Sequence, residues 1–311
     1  MVEIFLSILP IFLLIVLGNV LRRNGIPSIE FWNVTDKVVY WVLFPALLFY
    51  KTSTAEFGGD LAGPMATALL GGMAAAAAFS LAASKIFGFS APVATTVLQG
   101  SARHNAFIAL AIAERLYGTE GLFIAALATA ILVPPTNLTI VGIMNVLLPS
   151  RSDRSLAYTL MRDLARNPLI LSVLAGVAVN WADVGRVPLL HDTTELLGRA
   201  ALPMVLLATG ANIHFGGMRA AKLPLALAIV GKFLVFPAVA VGLVMALGLG
   251  GLPAYVITIF AAMPTASSTF TVARQLGGDA PLAAAVSAIQ TLLSLVTVPV
   301  TLMIGRHLFS L

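Results

Sequence analysis

A short polar segment interrupts an apolar stretch of this 311-residue chain. In "GSARHN" (100–105), an arginine, a histidine and an asparagine follow one another, although only 10% of all residues are charged. Inside a bilayer, an arginine costs at least about 2.5–3.5 kcal/mol, so such residues face a protein interior and usually serve a function. The planar guanidinium of Arg103 matches a carboxylate in a bidentate way. Arg103 and Asn105 therefore predict a binding site for a carboxylate.

A second polar segment, "MPTASST" (263–269), interrupts an apolar stretch in the second half of the chain. Pro264 removes a backbone donor and disfavours helical geometry at Met263. Freed backbone groups in hydrocarbon need partners from protein, water or ligand, and the hydroxyls of this segment are suitable. The predicted substrate-binding residues are Arg103, Asn105, Ser101, His104, Pro264, Thr265, Ser267, Ser268, Thr269, Asn137 and Gln290.

Each of these residues also has a structural interpretation. Arg103 could bond carbonyls of the second segment and brace a crossing of two helices. Serine and threonine in membrane helices often bond their own backbone or a neighbouring helix. His104 either carries a coupling proton near neutral pH or packs as a neutral ring. Lys232, deep in another apolar stretch, is expected to pair with a carboxylate rather than to contact the substrate.

Composition places these residues in a membrane protein. The chain is 59% hydrophobic with a mean hydropathy of +0.99, whereas soluble domains carry about 25% charged residues. The net charge of +5 is scattered between apolar stretches, which does not indicate nucleic-acid binding. The chain has no cysteine, no P-loop and only four dispersed histidines. We therefore expect no enzyme activity, no metal site and no cofactor.

Hydropathy predicts an all-α polytopic protein with ten spans: 3–21, 30–50, 62–87, 91–117, 120–148, 166–182, 196–213, 223–248, 252–276 and 281–307. With both termini outside, the cytoplasmic connections hold ten basic residues: Arg22, Arg23, Lys85, Arg151, Arg154, Arg162, Arg166, Arg219, Lys222 and Arg274. The outer connections hold four: Lys51, Arg115, Arg186 and Arg306. This positive-inside bias predicts that both termini face outward and that the basic connector at 150–166 lies in the cytoplasm.

The chain also repeats itself. Pro10 and Gly18 recur as Pro168 and Gly176, and Pro45 recurs as Pro203, all 158 residues later. Five spans in each half make the repeats inverted, with 1–150 (spans 1–5) as one repeat and 151–311 (spans 6–10) as the other. Spans four and nine carry the two polar interruptions at equivalent positions. Inverted repeats with broken helices at mid-membrane are typical of secondary transporters.

Several stretches resemble the auxin efflux carrier family: "FPALLF" (44–49), "RHNAFIALAIAERLYG" (103–118), "RNPLILSVLAG" (166–176), "ALPMVLLATGANI" (201–213) and "MPTASSTFTVARQLGGD" (263–279). The resemblance implies a fold like that of bile-acid symporters and sodium/proton antiporters, in which spans four and nine cross at their breaks. It also implies a scaffold of spans 1, 2, 6 and 7 and a transport unit of spans 3–5 and 8–10 that moves as an elevator. Plant-type members carry a proline in the span-four crossing, whereas "FIALAIA" (107–113) has none.

The predicted function is therefore secondary transport of small organic anions by alternating access. By resemblance, the substrates are auxin-like monoanions or dicarboxylates such as malate and malonate. The partners are the substrate anion and the lipid bilayer. A homodimer through the scaffold is implied by the family, while the sequence leaves the oligomeric state open. The alternatives are a sodium-coupled symporter of the bile-acid type, and a passive anion channel or membrane sensor.

Overall fold

The computed structural model describes residues 2–54, 61–148, 166–213 and 222–309. Helices account for nearly all of these residues, and the described ranges contain no strand. The helices are α1 (Val2–Arg23), α2 (Ile29–Val38), α3 (Phe44–Ser53), α4 (Ala62–Ile86), α5 (Ala91–Ala102), α6 (Ala106–Leu147), α7 (Pro168–Trp181), α8 (Leu190–Ala211), α9 (Lys222–Val230), α10 (Phe236–Ala246), α11 (Gly251–Ala262), α12 (Thr269–Leu276) and α13 (Ala280–Phe309). Two π-helical turns, Val39–Leu43 and Gly231–Val235, join α2 to α3 and α9 to α10. The all-α prediction is confirmed for these ranges.

Five helical segments in the described ranges are long and apolar enough to cross a membrane: Ile4–Arg23, Ala62–Ile86, Ala91–Leu147, Lys222–Ala246 and Ala280–Phe309. Two further apolar helices, α7 and α11, are shorter. The predicted number of ten is larger for three reasons. Helices α2, α3, α7 and α11 are too short to qualify singly, α8 carries polar and charged residues in its first turns, and α5 and α6 count as one segment. An integral membrane protein agrees with these helices, and the arrangement of ten spans stays a prediction.

Two boundaries differ from the prediction. Helix α8 begins at Leu190 rather than at residue 196, because its first turns carry polar side chains that hydropathy assigns to a loop. Helix α6 (Ala106–Leu147) joins the second part of the predicted span 91–117 to the predicted span 120–148, with a kink at Gly118 (φ 59°, ψ −141°). Only glycine adopts such a conformation without strain, so the chain turns at Gly118 without a separate loop.

The helices form two packed groups. In one group, α1 packs along α8, and α3 packs along both α7 and α8. In the other, α4 contacts α5 and α10, while α11 contacts α6 and α13. Glycines permit the closest approaches in the first group: a Cβ atom at Gly18 would collide with the carbonyl oxygen of Leu207, and one at Gly176 with the hydroxyl of Thr52. Small residues at such contacts let helix backbones approach in membranes.

Some predicted features lie outside the described residues. These are most of the basic connector 150–166, with Arg151, Arg154 and Arg162, and Arg219 in a later connection.

Candidate functional site

The two polar interruptions meet at the place where α5–α6 crosses α11–α12. The backbone N–H of Asn105 donates to the carbonyl oxygen of Pro264 at 2.8 Å. The hydroxyl of Thr265 donates to the carbonyl oxygen of Gln99 at 3.0 Å. Each break therefore donates a hydrogen bond to a backbone carbonyl at or next to the other break. We call residues 103–105 and 263–268, together with the side chains that contact them, the crossing.

The first break forms without a proline. Helix α5 ends at Ala102, and Arg103 has an extended backbone (φ −72°, ψ 155°). Asn105 (φ −90°, ψ 91°) is the N-cap of α6, and its side-chain oxygen accepts from the N–H of Ile108 at 3.2 Å. Asparagine is among the preferred N-cap residues because its side chain satisfies an otherwise free N–H group. Asn105 thus has a structural role that the sequence analysis did not predict.

The second break is longer and contains a proline. Helix α11 ends at Ala262, and Met263 is extended (φ −67°, ψ 143°) because the residue before a proline avoids helical geometry. Residues 263–268 are not helical, and α12 starts at Thr269. Thr269 is buried, and its hydroxyl lies 3.1 Å from that of Thr265.

Gln290 of α13 holds three backbone groups of the crossing together. Its side-chain oxygen accepts from the N–H of Thr265 at 2.9 Å. Its Nε2 atom donates to the carbonyl oxygens of Gly100 at 2.9 Å and of Ala228 at 3.0 Å. The carbonyl of Gly100 lies near the C-terminal end of α5, where helices leave such groups free, and that of Ala228 lies just before the π-helical turn. Gln290 therefore lies at the predicted site, and the structure gives it a bracing role.

Arg103 is buried at the crossing, with 8% of its surface exposed. Its guanidinium donates to Ser268 Oγ at 2.9 Å and to Gln99 Oε1 at 3.3 Å. No carboxylate of the described residues forms an ion pair with it. It bonds side chains rather than the carbonyls that a purely bracing role predicts. Its positive charge is therefore not neutralised by the described protein.

Two further predicted residues are buried at the crossing without hydrogen-bond partners among the described residues. The ring nitrogens of His104 have none, and the ring centroid lies 6.0 Å from that of Phe260. The hydroxyl of Ser101 has none either, and the side chain packs where a Cβ atom on Gly231 would be. Unpaired buried polar groups are costly, and at a site they are the groups that a ligand can satisfy.

Lys232 is the residue that the sequence analysis misjudged. It is fully buried in the π-helical turn, and the expected carboxylate partner is absent from the described residues. Its Nζ atom lies 3.9 Å from the ring centroid of Phe236. Both Lys232 and Arg103 are near enough to His104 to act on it electrostatically. The sequence contains one signal that this lysine could serve a function, namely its position within the apolar stretch "AIVGKFLVF" (228–236).

Not all predicted residues join the crossing. Ser267 is half-buried in the second break, and Ser268 is exposed but contacts Arg103. Asn137 is exposed on α6, and no described contact connects it with the crossing. The two prolines before Asn137 do not open the helix, because α6 continues through them.

Outside the crossing, the described residues form an apolar pocket but no metal-binding group. A small pocket between α3, α6 and α7 is lined mainly by apolar side chains such as Leu48, Val133 and Val173, and it is not part of the crossing. No group of three or more histidine, aspartate or glutamate residues in the described ranges is arranged to hold a metal ion. The polar groups of the crossing are cations, amides and hydroxyls, which suit an anion.

An all-helical protein with membrane-length apolar helices and a buried polar crossing has the architecture of a membrane transporter. Comparison with known sequences agrees. Residues 149–302 match the family described as "Membrane transport protein", in agreement with the resemblance to the auxin efflux carriers.

Two relatives are also transporters rather than enzymes. An "Uncharacterized transporter" of Methanothermobacter thermautotrophicus is 25% identical over 305 residues, covering 94% of this chain and 95% of the relative. A "Putative malonate transporter" of Rhizobium meliloti is 31% identical over 146 residues, covering 46% of this chain and 45% of the relative.

Proposed function

We propose that this protein is a secondary transporter of small organic anions and that the anion binds at the crossing, with Arg103 as its main contact. The observation that carries the proposal is the buried guanidinium without an acidic partner among the described residues. Arginine stays charged in proteins, and an uncompensated buried charge is strongly unfavourable. A carboxylate bound in the bidentate geometry would neutralise it.

The backbone at the crossing favours the same ligand. Helices α6 and α12 begin at the two breaks, at Ala106 and Thr269. Helix N-termini carry a partial positive charge and free N–H groups, which stabilise anions. The unpaired side chains of Ser101 and His104 add further polar groups. Among carboxylates, we propose a small dicarboxylate first, since one relative is named for malonate.

We further propose that the chain consists of two inverted five-span repeats, 1–150 and 151–311. The backbone supports this. Glycines with positive φ recur 159 or 160 residues apart, in the pairs Gly25 (70°) and Gly185 (69°), Gly88 (66°) and Gly248 (65°), and Gly118 (59°) and Gly277 (84°). The close contacts are also related by the repeat, because Gly18 packs on α8, and its sequence equivalent Gly176 packs on α3.

The packing supports a division into a scaffold and a transport unit. Helices α1, α2–α3, α7 and α8, which include the predicted spans 1, 2, 6 and 7, pack mainly with one another. The crossing belongs to the other group. In our proposal, this second group slides along the scaffold and exposes the anion to either side of the membrane in turn.

We propose, from the family resemblance and the bias of basic residues, that the chain lies in a bacterial inner membrane with both termini outside. Contacts between helix ends support the grouping of the ends into two sides. Ends assigned to the outer side contact one another, as in the hydrogen bond of Lys51 to Thr119 at 3.2 Å. Ends assigned to the cytoplasmic side do the same, as in the bond of Arg22 to Asn212 at 3.0 Å. The described structure contains one chain, and dimerisation through the scaffold is proposed from the family resemblance alone.

The role of Arg103 is tested by malonate binding to purified Arg103→Ala, Arg103→Lys and a control, Arg199→Ala. We expect Arg103→Ala to weaken binding about 10- to 100-fold, since a hydrogen bond to a charged group contributes about 1.5–3 kcal/mol. Arg103→Lys keeps the charge but loses the planar fork, so its affinity should be intermediate. Arg199 is exposed and paired with Glu195, so Arg199→Ala should bind as the unmodified chain does. Unchanged affinity in Arg103→Ala would remove Arg103 from the site.

Uptake into liposomes separates the proposed carrier from its alternatives. Saturable uptake that is accelerated by unlabelled anion on the opposite side indicates a carrier, whereas flux that does not saturate indicates a channel. Sodium sites favour oxygen ligands that include carboxylates, and the described crossing has no acidic side chain. We therefore expect uptake to be equal with sodium or with potassium outside.

A further inference from the structure

A second buried basic side chain, that of Lys232, lies beside the crossing, and the proposed anion site does not use it. Lys232 is fully buried, and its Nζ atom has no hydrogen-bond partner among the described residues. We propose that Lys232 binds a proton that is carried together with the anion. This inference rests on the proposed function, because it adds a coupling ion to the anion site at the crossing.

The position of Lys232 connects it with the break in α5. A Cβ atom on its neighbour Gly231 would collide with the side chain of Ser101, so the π-helical turn lies directly against the end of α5. Gln290 also ties Ala228, one turn before Lys232, to Gly100. A change at the first break is therefore transmitted to the turn that holds Lys232. Single π-helical turns inside helices are frequent at functional sites.

The surroundings of Lys232 contain no acid. The elements packed against the turn are α4, α5, α9, α10 and α11. Their titratable side chains, with the two that directly follow α5, are Lys85, Lys222, Tyr255, Arg103 and His104. Lys85 and Lys222 are exposed near helix ends, and the nearest aromatic group is the ring of Phe236. None of these groups supplies a negative charge to an ammonium on Lys232.

Two buried basic side chains without an acid give the site two charge states. Without an anion, the neutral amine is the favoured form of Lys232, because an ammonium away from water and without a counter-ion costs several kcal/mol. Arginine has no such neutral form, so Arg103 keeps its charge while Lys232 can lose it. A dicarboxylate brings the negative charge that stabilises the ammonium, and its binding is therefore linked to uptake of a proton.

The coupled step is a simple proton transfer. Water on the side from which the anion enters supplies a proton to the amine of Lys232, which forms one N–H bond and becomes an ammonium. When the anion leaves on the other side, the ammonium loses the same proton to the water there. Anion and proton thus move in the same direction, and no oxidant or reductant takes part.

Calorimetry of malonate binding in two buffers with different ionisation enthalpies measures the protons taken up per anion. At mildly alkaline pH, where malonate is fully ionised, we expect uptake approaching about one proton and an affinity that falls up to about tenfold per pH unit. Lys232→Met has no amine, and Lys232→Arg has a permanent charge. Both should bind malonate with no linked proton and with an affinity independent of pH in this range.

The matched controls are Lys222→Met and His104→Gln. Lys222 is an exposed lysine at the start of α9, so its variant should take up protons as the unmodified chain does. His104 is the other buried group that could bind the proton. His104→Gln changes a side chain of the proposed anion site, so its affinity for malonate is expected to fall, but the number of protons taken up per bound anion should be unchanged. If His104→Gln loses the proton uptake while Lys232→Met keeps it, the proton belongs to His104 and our assignment is wrong.

Transport gives a second readout that separates this inference from the proposed function. Lys232→Met in liposomes should exchange malonate for malonate at equal pH but lose the acceleration of uptake by an inward proton gradient. Acceleration that persists in Lys232→Met overturns the inference and leaves the anion site intact. An unmodified chain that binds and transports no carboxylate overturns the proposed function, and the inference with it.

Discussion

Arg103 and Lys232 stand apart from the exposed charged residues because burial leaves them without acidic partners in the described chain. Arg186 and Arg199 form ion pairs with Asp192 and Glu195 at 2.7 Å, but exposed pairs of this kind contribute only about 0–1 kcal/mol. A buried cation without an acid destabilises the protein. In our proposal, such a residue is present at the crossing because it serves a ligand and not because it stabilises the fold.

This interpretation predicts the effect of Lys232→Met on stability. Methionine replaces the amine with an apolar group of similar length, so the anion-free protein should unfold at the same temperature or a higher one. The measurement is thermal unfolding in detergent, with exposed Lys222→Met as the control. A fall of several degrees in Lys232→Met alone would mean that the lysine supports the fold, contrary to our account.

At the scale of helices, the sequence predicted where both broken helices are interrupted but not how the breaks are held. The proline of "MPTASST" and the charge of "GSARHN" mark the breaks, because both are unfavourable in an apolar helix. Contacts between residues far apart in sequence hold the breaks, such as the bond from Asn105 to Pro264. Such contacts are not encoded in local patterns.

Other misses have the same cause. The π-helical turn around Lys232 leaves no local signature, so the lysine was expected to have a carboxylate partner that the described structure does not contain. Asn137 looked like a site residue because it follows two prolines in an apolar span. Hydropathy does not tell which face of α6 it occupies, and the face proved to be exposed.

Gln290 offers a test at the scale of helices. Gln290→Ala leaves the N–H of Thr265 and the carbonyls of Gly100 and Ala228 unpaired in an apolar interior. Each buried unsatisfied group costs about 1–3 kcal/mol, so the unfolding temperature should fall clearly and transport should be lost. The control is Thr291→Ala, which removes only a hydroxyl bonded within α13. Equal stability of the two variants would show that Gln290 does not brace the crossing.

At the scale of the whole molecule, the sequence predicted the positions of the helices along the chain better than the arrangement of the helices in space. Apolar length and turn glycines locate the helices, and the described boundaries mostly agree within a few residues. The assignment of the connections to the two sides of the membrane depends on the bias of basic residues, and several of these residues lie outside the described ranges. The threading is therefore the proposal with the greatest need of a direct test.

Single cysteines provide that test, because the chain has none of its own. Phe87 and Leu247 are both exposed, and each precedes a glycine with positive φ. They lie 160 residues apart and are equivalent in the proposed repeat. With inverted repeats, a membrane-impermeant maleimide added to intact cells should label Leu247→Cys, and should label Phe87→Cys only after the membrane is opened. The cysteine-free chain is the control, and labelling of both positions from one side would refute the inversion.

The reciprocal bonds at the crossing also bear on whether either half of the chain is self-sufficient. Asn105 of the first half depends on Pro264 of the second, and Thr265 of the second depends on Gln99 of the first. A half synthesised on its own would expose an unwound stretch to lipid with its amides unmatched, a state that hydrocarbon does not tolerate. The opened helices are thus a joint property of the two halves. If the two halves are repeats, as we propose, a single ancestral half would have needed a second copy of itself to complete them.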